Sequence, residues 1–446
     1  MCEVRRCIQP IPSVVCQIDR DVGYFEKMKV GIFDHLSLRL GGGQLVVAHM
    51  AAQLSKVYDV ELIHSGRGYS KSGLAEAFDV DLTAVTERIV HDAMGSFCPP
   101  GLSLAYICRT PRFDRTLTEP YDLFIYSGHG VPPFCSAKRG LIYCHFPIES
   151  HPMYDLPCVD GWNNHGRVNR WARLQGYKWV WNRRMRGYQT VLGNSQFTSG
   201  WIERRWKRSS EVLYPPVAVL PVSAAKENII VSLGRFIVTD QKNHALQLRA
   251  FRRFQSTAGQ KWRLCLIGFC TDLPEDRAYL EELRTMSRDM DVTFVLNAPR
   301  PTLWSYLAKA KLYWHAMALG DGNTLPPERM EHFGIATVEA MGAGCVPLVP
   351  RSGGQLEIVE HGISGFCCGD IDELMKHTER VAGDESLRRQ MAQAAAERSA
   401  SFRPERFNRR LNQLVPESAR GLDRADPKGC NASDCRSFDH ATREMK

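Results

Sequence analysis

The sequence predicts an α/β protein with two Rossmann-like domains, and two observations carry this prediction. Along most of the chain, short apolar runs typical of buried parallel strands alternate with stretches of helical periodicity. With 446 residues, of which 44% are hydrophobic, the chain is also long enough to bury two cores. A stiff segment containing Pro215, Pro216 and Pro221 separates the two halves. We therefore expect an N-terminal domain at residues 28–217 and a C-terminal domain at residues 222–400.

Two terminal regions fall outside the predicted domains. Residues 1–27 are expected to form a flexible extension, and we expect no signal peptide there because Pro10 and Pro12 interrupt its only apolar part. The tail at residues 416–446 is polar and is expected to be disordered. The structured part of the protein is therefore predicted to lie between these two segments.

Net charge and cysteine usage limit the partners and the compartment. The formal charge of +8 suits an anionic ligand or an anionic membrane surface, and it is too diffuse to predict nucleic-acid binding. The 15 cysteines show no disulfide spacing, and Cys265, Cys367 and Cys368 lie in apolar runs. We therefore expect buried thiols and a cytoplasmic protein. No apolar run approaches ~18 residues, so no transmembrane helix is predicted.

The N-terminal domain is expected to begin with a strand, a glycine loop and a helix. The strand lies at residues 30–33, the loop contains Gly41, Gly42 and Gly43, and the helix lies at residues 44–56. This order is typical of nucleotide-binding domains, and adjacent glycines let the backbone approach a ligand closely. A plain tight turn is the alternative. The pattern is not G-x-G-x-x-G followed by an acid about 20 residues later, which disfavours an NAD-dependent oxidoreductase.

A histidine is expected at the ligand-binding edge of this sheet. Further strands are predicted at residues 60–64, 122–127, 141–145 and 190–193. His145 ends the third of these, at the carboxyl end where open α/β sheets bind ligands. A neutral imidazole can form a hydrogen bond with a ligand hydroxyl there. A satisfied structural histidine is the alternative, and His129 is a weaker candidate of the same kind. Asn194 or Ser195 is predicted to cap the helix that follows the last strand.

An aromatic and basic segment at residues 161–188 has two interpretations. Apolar side chains recur there at helical spacing among at least six basic side chains. One interpretation is a core helix with a solvated basic flank. The other is a surface helix that contacts anionic lipid or a lipid-linked acceptor. The second interpretation would place the protein at the inner face of the membrane.

The C-terminal domain is expected to begin with a strand at residues 229–233 and two cations. Arg235 follows the strand, and Lys242 opens the next helix. Arginine can hold a diphosphate with two parallel hydrogen bonds, and lysine acts as a compact charge. The expected elements that follow are strands at residues 264–268, 292–296 and 311–315 and helices at residues 275–289, 302–310 and 371–400.

Two carboxylates flank a helix start in this domain. Glu331 precedes the turn Phe333-Gly334, and Glu339 lies inside the helix that begins near Ile335. Helix starts expose backbone N–H groups and carry a partial positive charge, so they bind anions. Such an element can hold a phosphorylated, polyhydroxylated ligand, with N–H groups on phosphate and carboxylates on sugar hydroxyls.

This stretch resembles a known signature. Glu331 and Glu339 stand with seven residues between them in E-H-F-G-I-A-T-V-E-A-M-G-A-G, followed by G-G-Q-L-E at residues 353–357. The pattern is similar to that of the retaining glycosyltransferases of family 4, which have the GT-B fold. The resemblance implies two Rossmann-like domains across a cleft and a final helix, at residues 402–415, that packs back on the N-terminal domain.

The same resemblance implies roles for individual residues and for partners. Glu331 and His145 would be catalytic, with Glu331 on the donor sugar and Glu339 on the ribose. The implied donor-binding residues are Gly42, Gly43, Arg235, Lys242, Phe333, Gly334, Ile335 and Glu339. The donor would be a GDP- or UDP-sugar and the acceptor a glycan or a lipid-linked molecule. The stretch at residues 313–316 favours relatives that use GDP-mannose.

Neither a metal nor a cofactor is expected. Asp79 and Asp81, like Asp370 and Asp372, have D-x-D spacing, but both pairs lie at predicted element edges and are interpreted as caps and turns. The two cations can neutralise a diphosphate without a divalent ion. An epimerase of the same fold and a non-catalytic nucleotide-sugar-binding protein remain as alternatives.

Overall fold

The structure of the protein is a computed structural model, which describes residues 27–34, 40–90, 113–130, 132–148, 175, 179–219, 225–238, 242–320 and 325–415. Several predictions lie outside these residues. They are the extension up to residue 26, the tail at residues 416–446 and most of the basic segment at residues 161–188.

The first sheet contains seven parallel strands among the described residues, in the order β3-β2-β1-β4-β5-β6-β7. Two of its strands were missed in the sequence because β3 is half polar and lies at an edge, and β7 has only two residues. The strands are β1 (Lys29–Asp34), β2 (Asp59–His64), β3 (Val85–Ile89), β4 (Leu123–Gly128), β5 (Arg139–Cys144), β6 (Thr190–Gly193) and β7 (Glu211–Val212).

Helices cover this sheet. They are α1 (Gly42–Leu54), α2 (Lys71–Phe78), α3 (residues 113–118), α4 (residues 179–186) and α5 (Gln196–Trp206). Helix α1 begins at Gly42, two residues before the predicted start, so Gly42 and Gly43 belong to its first turn and not to a loop. Ser195, one of the two predicted caps, is the N-cap of α5, and its hydroxyl accepts a hydrogen bond from the backbone of Thr198 at 3.0 Å.

The second sheet repeats the same winding with six parallel strands, in the order β10-β9-β8-β11-β12-β13. Its strands are β8 (Glu227–Leu233), β9 (Arg263–Gly268), β10 (Val292–Leu296), β11 (Ala310–Trp314), β12 (Val346–Pro350) and β13 (Phe366–Cys368). Its helices are α6 (His244–Thr257), α7 (Pro274–Met286), α8 (Arg300–Lys309), α9 (Ile335–Gly342), α10 (Gln355–Ile358), α11 (Ile371–Gly383) and α12 (Glu385–Ser399). The chain is therefore an α/β protein with two Rossmann-like domains.

The last described helix, α13 (Pro404–Leu414), returns to the first sheet. Phe407, Leu411 and Val415 are buried in the same hydrophobic cluster as the strands β1 and β2. In addition, the hydroxyl of Tyr58 in the first domain donates a hydrogen bond to the backbone oxygen of Val415 at 3.3 Å. The chain thus crosses between the two sheets twice, which ties their relative position to the packing of α13.

The described part of the basic segment is mainly a packed helix. Trp181, Met185 and Tyr188 are buried in the core beneath the first sheet. Arg184 is also buried, with its Nη2 3.8 Å from Asp114 Oδ2, so it is not a surface cation. Trp179 is 50% exposed. Across the part of the chain that the structure describes, no helix is long and apolar enough to cross a bilayer.

Cys265, Cys367 and Cys368 are buried free thiols, as the apolar runs around them predict. Burial raises the pKa of Cys265 and Cys367 to about 11 and that of Cys368 to about 12. These thiols are therefore protonated and unreactive at neutral pH.

Candidate functional site

The site lies where the carboxyl ends of the two sheets face each other. A Cβ atom built on Gly42, in the first turn of α1, would lie 2.6 Å from Ile335 Cδ1 at the start of α9. A Cβ atom on Gly43 would lie 3.2 Å from His145 Nε2. The two helix starts therefore approach each other across the cleft, and a side chain at Gly42 would displace the end of the Ile335 side chain. Four residues predicted to share a site are brought together by this contact.

His145 follows β5 and is held in the neutral form. Its Nε2 lies 2.9 Å from Ser127 Oγ, and its backbone oxygen accepts a hydrogen bond from Asn194 Nδ2 at 2.9 Å. Burial lowers the pKa of His145 well below its usual value, and the neighbouring His129 and His332 add to the effect. A neutral imidazole in this position can form hydrogen bonds with sugar hydroxyls but does not carry a charge near neutral pH.

Glu331 belongs to a compact ionic cluster. Lys242 Nζ lies 2.6 Å from Glu331 Oε2, and His315 Nε2 lies 3.3 Å from the same oxygen. Burial alone would raise the pKa of Glu331, but Lys242 and His315 together hold it well below the usual value. The carboxylate is therefore ionised, and both contacts fall on one oxygen. A residue missed in the sequence, His315 at the end of β11, thus belongs to this cluster.

Lys242 reaches Glu331 because it passes over Gly234, which has no side chain to block it. A Cβ atom on Gly234, just after β8, would lie 2.8 Å from Lys242 Cγ, so the lysine stem passes directly over this glycine. Arg235 is exposed beside it. The predicted diphosphate pair is thus placed at the carboxyl end of β8, with Lys242 also bound to the carboxylate that was predicted to contact the sugar.

Two glycines with positive φ, Gly334 and Gly353, shape the turn before α9. Gly334 has φ of +120° and a Cβ atom there would lie 2.7 Å from Gln355 Nε2. It provides no side-chain hydrogen bond to the start of α9, and N–H groups at a helix start are able to bind anions. Gly353 has φ of +63°, and its Cβ position is occupied by the backbone oxygen of Glu331. The G-G turn therefore packs on the backbone that carries Glu331.

The side chain of Phe333, which is predicted to bind the donor, lies in the core. It is 3% exposed, and its ring packs 5.7 Å from that of Tyr214 and 5.4 Å from that of Phe402. The ring is a core group beneath α9 and does not face the cleft. A contact of Phe333 with a donor could therefore involve only its backbone. The physical reason is that an aromatic ring next to a glycine turn buries more apolar surface against the sheet than in the cleft.

Glu339 lies one helical turn inside α9 and already has a partner. Its side chain is 9% exposed, and its Oε1 accepts a hydrogen bond from Arg300 Nη2 at 2.8 Å. Burial raises the pKa of this carboxyl group, and the guanidinium opposes that change. Arg300 was not identified in the sequence, because nothing in its local pattern distinguishes it from a surface arginine.

Hydrogen bonds also join the two domains beside the site. The carboxylate of Glu357 in α10 accepts from the backbone of Gln196 at 2.7 Å and of Phe197 at 2.6 Å, at the start of α5. Ser195 Oγ donates to the backbone oxygen of His332 at 2.6 Å. A carboxylate on a helix start is favourable because it satisfies orphan N–H groups and the helix dipole. These five groups form what we call the interdomain latch.

The aspartates with D-x-D spacing have local partners. Asp370 caps α11, where its Oδ1 accepts from the backbone of Glu373 at 2.8 Å, and Asp81 accepts from the backbone of Thr83 at 2.9 Å. Asp79 is the C-cap of α2. Within the described ranges no group of three or more histidine, cysteine or acidic residues could hold a metal ion.

Comparison with protein families gives a match over the second domain. Residues 221–398 match the family described as Glycosyl transferases group 1. These residues contain Arg235, Lys242, Glu331 and Glu339.

Curated relatives match part of the chain. The GDP-Man:Man(3)GlcNAc(2)-PP-Dol alpha-1,2-mannosyltransferase of Mus musculus is 30% identical over 292 residues, which cover 57% of this chain and 56% of that protein. The Xenopus laevis enzyme of the same name is 34% identical over 202 residues, covering 41% of this chain and 39% of that protein. The Alpha-1,3/1,6-mannosyltransferase ALG2 of Homo sapiens is 28% identical and covers 64% of this chain and 70% of that protein. The chain spans about half the length of the first two relatives.

Solved structures share the fold over most of the chain. Anabaena Alr3699/HepE in complex with UDP and glucose has a TM-score of 0.57 at 19% identity, covering 87% of this chain and 99% of that one. Sucrose-phosphate synthase from Thermosynechococcus elongatus has a TM-score of 0.59 at 16% identity and covers 87% of this chain and 98% of that one. The chain therefore has the GT-B fold, and its residues 221–398 match the group 1 glycosyltransferases.

Proposed function

We propose that the protein is a retaining glycosyltransferase that moves mannose from GDP-mannose to a hydroxyl group of a lipid-linked glycan. The observation that carries the proposal is the cluster of Lys242, His315 and Glu331 beside the uncapped start of α9, opposite His145. A cation, an ionised carboxylate and free N–H groups within one cleft suit a ligand that has both a diphosphate and a sugar. The printed names of the mannosyltransferase relatives support the choice of donor and acceptor.

The leaving group is the part of the donor that needs positive charge. As the glycosidic bond breaks, charge builds up on the diphosphate, and groups aimed at it lower the barrier. In this proposal Lys242, Arg235 and the N–H groups of Ile335 and Ala336 supply that charge. Lys242 would exchange part of its contact with Glu331 for a phosphate oxygen, which leaves the carboxylate ready to accept hydrogen bonds from the sugar.

The sugar is held by neutral and anionic groups. Both observed contacts of Glu331 fall on Oε2, so Oε1 is the oxygen we assign to sugar hydroxyls. His145 would bind a hydroxyl from the opposite side of the cleft, with Ser127 setting its ring orientation. Glu339 would accept hydrogen bonds from the ribose, away from the diphosphate. The leaving phosphate itself would then take the proton of the attacking acceptor hydroxyl, since no dedicated base is assigned.

The proposal is tested by a donor panel. The protein is incubated with GDP-mannose, UDP-glucose and UDP-N-acetylglucosamine, with and without lipid-linked oligosaccharide, and nucleoside diphosphate release is measured. We expect GDP release from GDP-mannose that depends on the lipid-linked acceptor, with an α-linked product. Interconversion of the donor sugar without an acceptor would indicate an epimerase, and binding without turnover would indicate a binding protein.

We also propose that the protein works at the cytoplasmic face of a membrane through a peripheral contact. Trp179 is 50% exposed, and the guanidinium of Arg183 lies 5.2 Å from the centre of its ring, an arrangement suited to the headgroup region. Each basic side chain near anionic lipid contributes about 1 kcal/mol. We expect flotation with anionic vesicles at low salt, lost in the variant Arg183→Ser/Arg186→Ser. Arg184 is kept because it is buried against Asp114. A wild-type protein that stays unbound would contradict the contact.

A further inference from the structure

We propose that Arg300 is a positioning residue that anchors the carboxylate of Glu339 so that it can bind the ribose hydroxyls of the donor nucleotide. This inference deepens the proposed function and rests on it. Arg300 is the first residue of α8, directly after the connection from β10, at the carboxyl end of the second sheet. Its place in the fold therefore brings a cation to the nucleotide side of the cleft, separate from Arg235 and Lys242.

The side chain of Arg300 is oriented by three features. Pro299 and Pro301 flank it and restrict the backbone at the start of α8. The guanidinium lies 5.0 Å from the centre of the Trp304 ring, one turn further along the helix. Its Nη2 donates to Glu339 Oε1 at 2.8 Å. A planar guanidinium placed over an aromatic ring keeps its remaining N–H groups in a defined plane, so it fixes the carboxylate as well as neutralising it.

Glu339 needs such a partner because it is buried. Its side chain is 9% exposed, whereas that of Arg300 is 31% exposed. Burial raises the pKa of Glu339, and Arg300 is the group that opposes this rise. Burial raises the pKa of Tyr313 in β11, and the charges of Glu331 and Glu339 raise it further, so this phenol stays neutral. Without the guanidinium, the carboxyl group would bind a proton at a higher pH, and the neutral group would be a weaker acceptor for ribose hydroxyls.

A histidine on the opposite domain must be controlled for. The pKa of His49 in α1 is lowered to about 4 by burial and then by Arg300, while Glu405 raises it. Removing Arg300 would therefore raise the pKa of His49 as well. A pH effect in an Arg300 variant has two possible origins, and the experiment must separate them.

The experiment measures the affinity of the full chain for GDP and for 2′,3′-dideoxy-GDP by calorimetry. In the wild type we expect GDP to bind about tenfold more tightly, the effect of a hydrogen bond to a charged group. Arg300→Gln should lower the affinity for GDP by about tenfold and leave that for the dideoxy nucleotide unchanged. Arg300→Lys, which keeps the charge, should recover part of the loss. In the Glu339→Gln background, Arg300→Gln should cause no further loss.

The pH dependence adds a readout that a purely structural role would not change. Between pH 8 and pH 6, GDP affinity of Arg300→Gln should fall more steeply than that of the wild type. The steeper fall should persist when His49→Gln is added and disappear when Glu339→Gln is added. Equal losses for both nucleotides that persist without Glu339 would show that Arg300 contacts the nucleotide itself, which overturns the inference. So would an unchanged affinity in Arg300→Gln. A wild type that binds neither nucleotide would contradict the proposed function as well.

Discussion

At the residue scale, the ion pair between Lys242 and Glu331 links two roles that the sequence treats separately. The lysine was expected on the diphosphate and the glutamate on the sugar, and the structure places them 2.6 Å apart. The pair explains how the Glu331 carboxylate can remain ionised although it is buried. Replacing Lys242 is therefore expected to change both diphosphate binding and the pKa of Glu331.

The first prediction compares the two cations. Lys242→Ala and Arg235→Ala should each weaken GDP binding by roughly 1.5–3 kcal/mol. Lys242→Ala should in addition lose turnover as the pH falls, because Lys242 holds the pKa of Glu331 below its usual value and the carboxyl group would then become protonated at a higher pH. Calorimetry and a pH–rate profile check this, with Arg235→Ala as the control. Identical pH profiles in both variants would contradict the link between Lys242 and Glu331.

The second prediction separates the two glutamates. Glu339→Gln should weaken binding of GDP and of GDP-mannose to a similar extent, because the ribose is common to both. Glu331→Gln should leave GDP binding nearly unchanged and lower turnover of GDP-mannose, because its partner is the sugar. Calorimetry with both ligands and a turnover assay distinguish the variants. The assignment is reversed if Glu331→Gln weakens GDP binding more than Glu339→Gln does.

At the element scale, the contact between the starts of α1 and α9 defines the cleft. Helix α1 begins at Gly42, α9 begins at Ile335 directly after Gly334, and Gly42 and Ile335 are the point of closest approach. A Cβ atom on Gly42 would displace Ile335 Cδ1, whereas Gly41 has extended backbone angles and its Cβ atom would lie 3.5 Å from Gln44 Oε1, which is an ordinary contact. Neighbouring glycines are therefore expected to differ in their tolerance of substitution.

The third prediction uses that difference. Gly42→Ala should raise the KM for GDP-mannose by a small factor, because the added methyl group meets Ile335 Cδ1 and pushes the end of that side chain aside at the start of α9. Gly41→Ala is the matched control and should be nearly neutral. The double variant Gly42→Ala/Ile335→Ala should recover part of the activity by making room. Steady-state kinetics measure all three, and equal effects of Gly41→Ala and Gly42→Ala would count against a close approach.

At the scale of the whole molecule, the interdomain latch sets how the two sheets face each other. Glu357 caps a helix of the other domain, and Tyr214 donates a further hydrogen bond to the same carboxylate at 3.0 Å. His332 contributes its backbone oxygen to the latch, and its ring stacks 4.0 Å from that of Phe146 across the same boundary. Domain position and the geometry of the residues around Glu331 are therefore coupled.

The fourth prediction tests this coupling. Glu357→Gln should favour an arrangement in which the two domains lie further apart. The reason is that the amide of glutamine has only one acceptor oxygen and no charge for the start of α5. Hydrogen bonds to a charged group contribute about 1.5–3 kcal/mol. Small-angle X-ray scattering should show a larger radius of gyration, and the KM for the donor should rise. Glu360→Gln is the control, because Glu360 pairs with Arg398 in its own domain at 3.4 Å. An unchanged radius in Glu357→Gln would mean that other contacts hold the domains.

The sequence by itself was sufficient for the fold class and for most of the candidate site. Buried parallel strands are nearly continuous apolar runs, so their order along the chain is visible, and the E-x7-E stretch places two acids around one helix start within a few residues. Local caps, such as Ser195 and Asp370, are visible for the same reason. These features depend on neighbours along the chain.

Only the tertiary structure decided which distant groups meet. Glu357 and Gln196 are 161 residues apart, and Arg300 and Glu339 lie 39 residues apart on different helices. No periodicity records such pairs, because they depend on how two domains and several helices are placed in space. The same reason explains why the ring of Phe333 and the side chain of Arg184 are buried. Local pattern determines the elements, and packing between elements determines which of their faces reach the cleft.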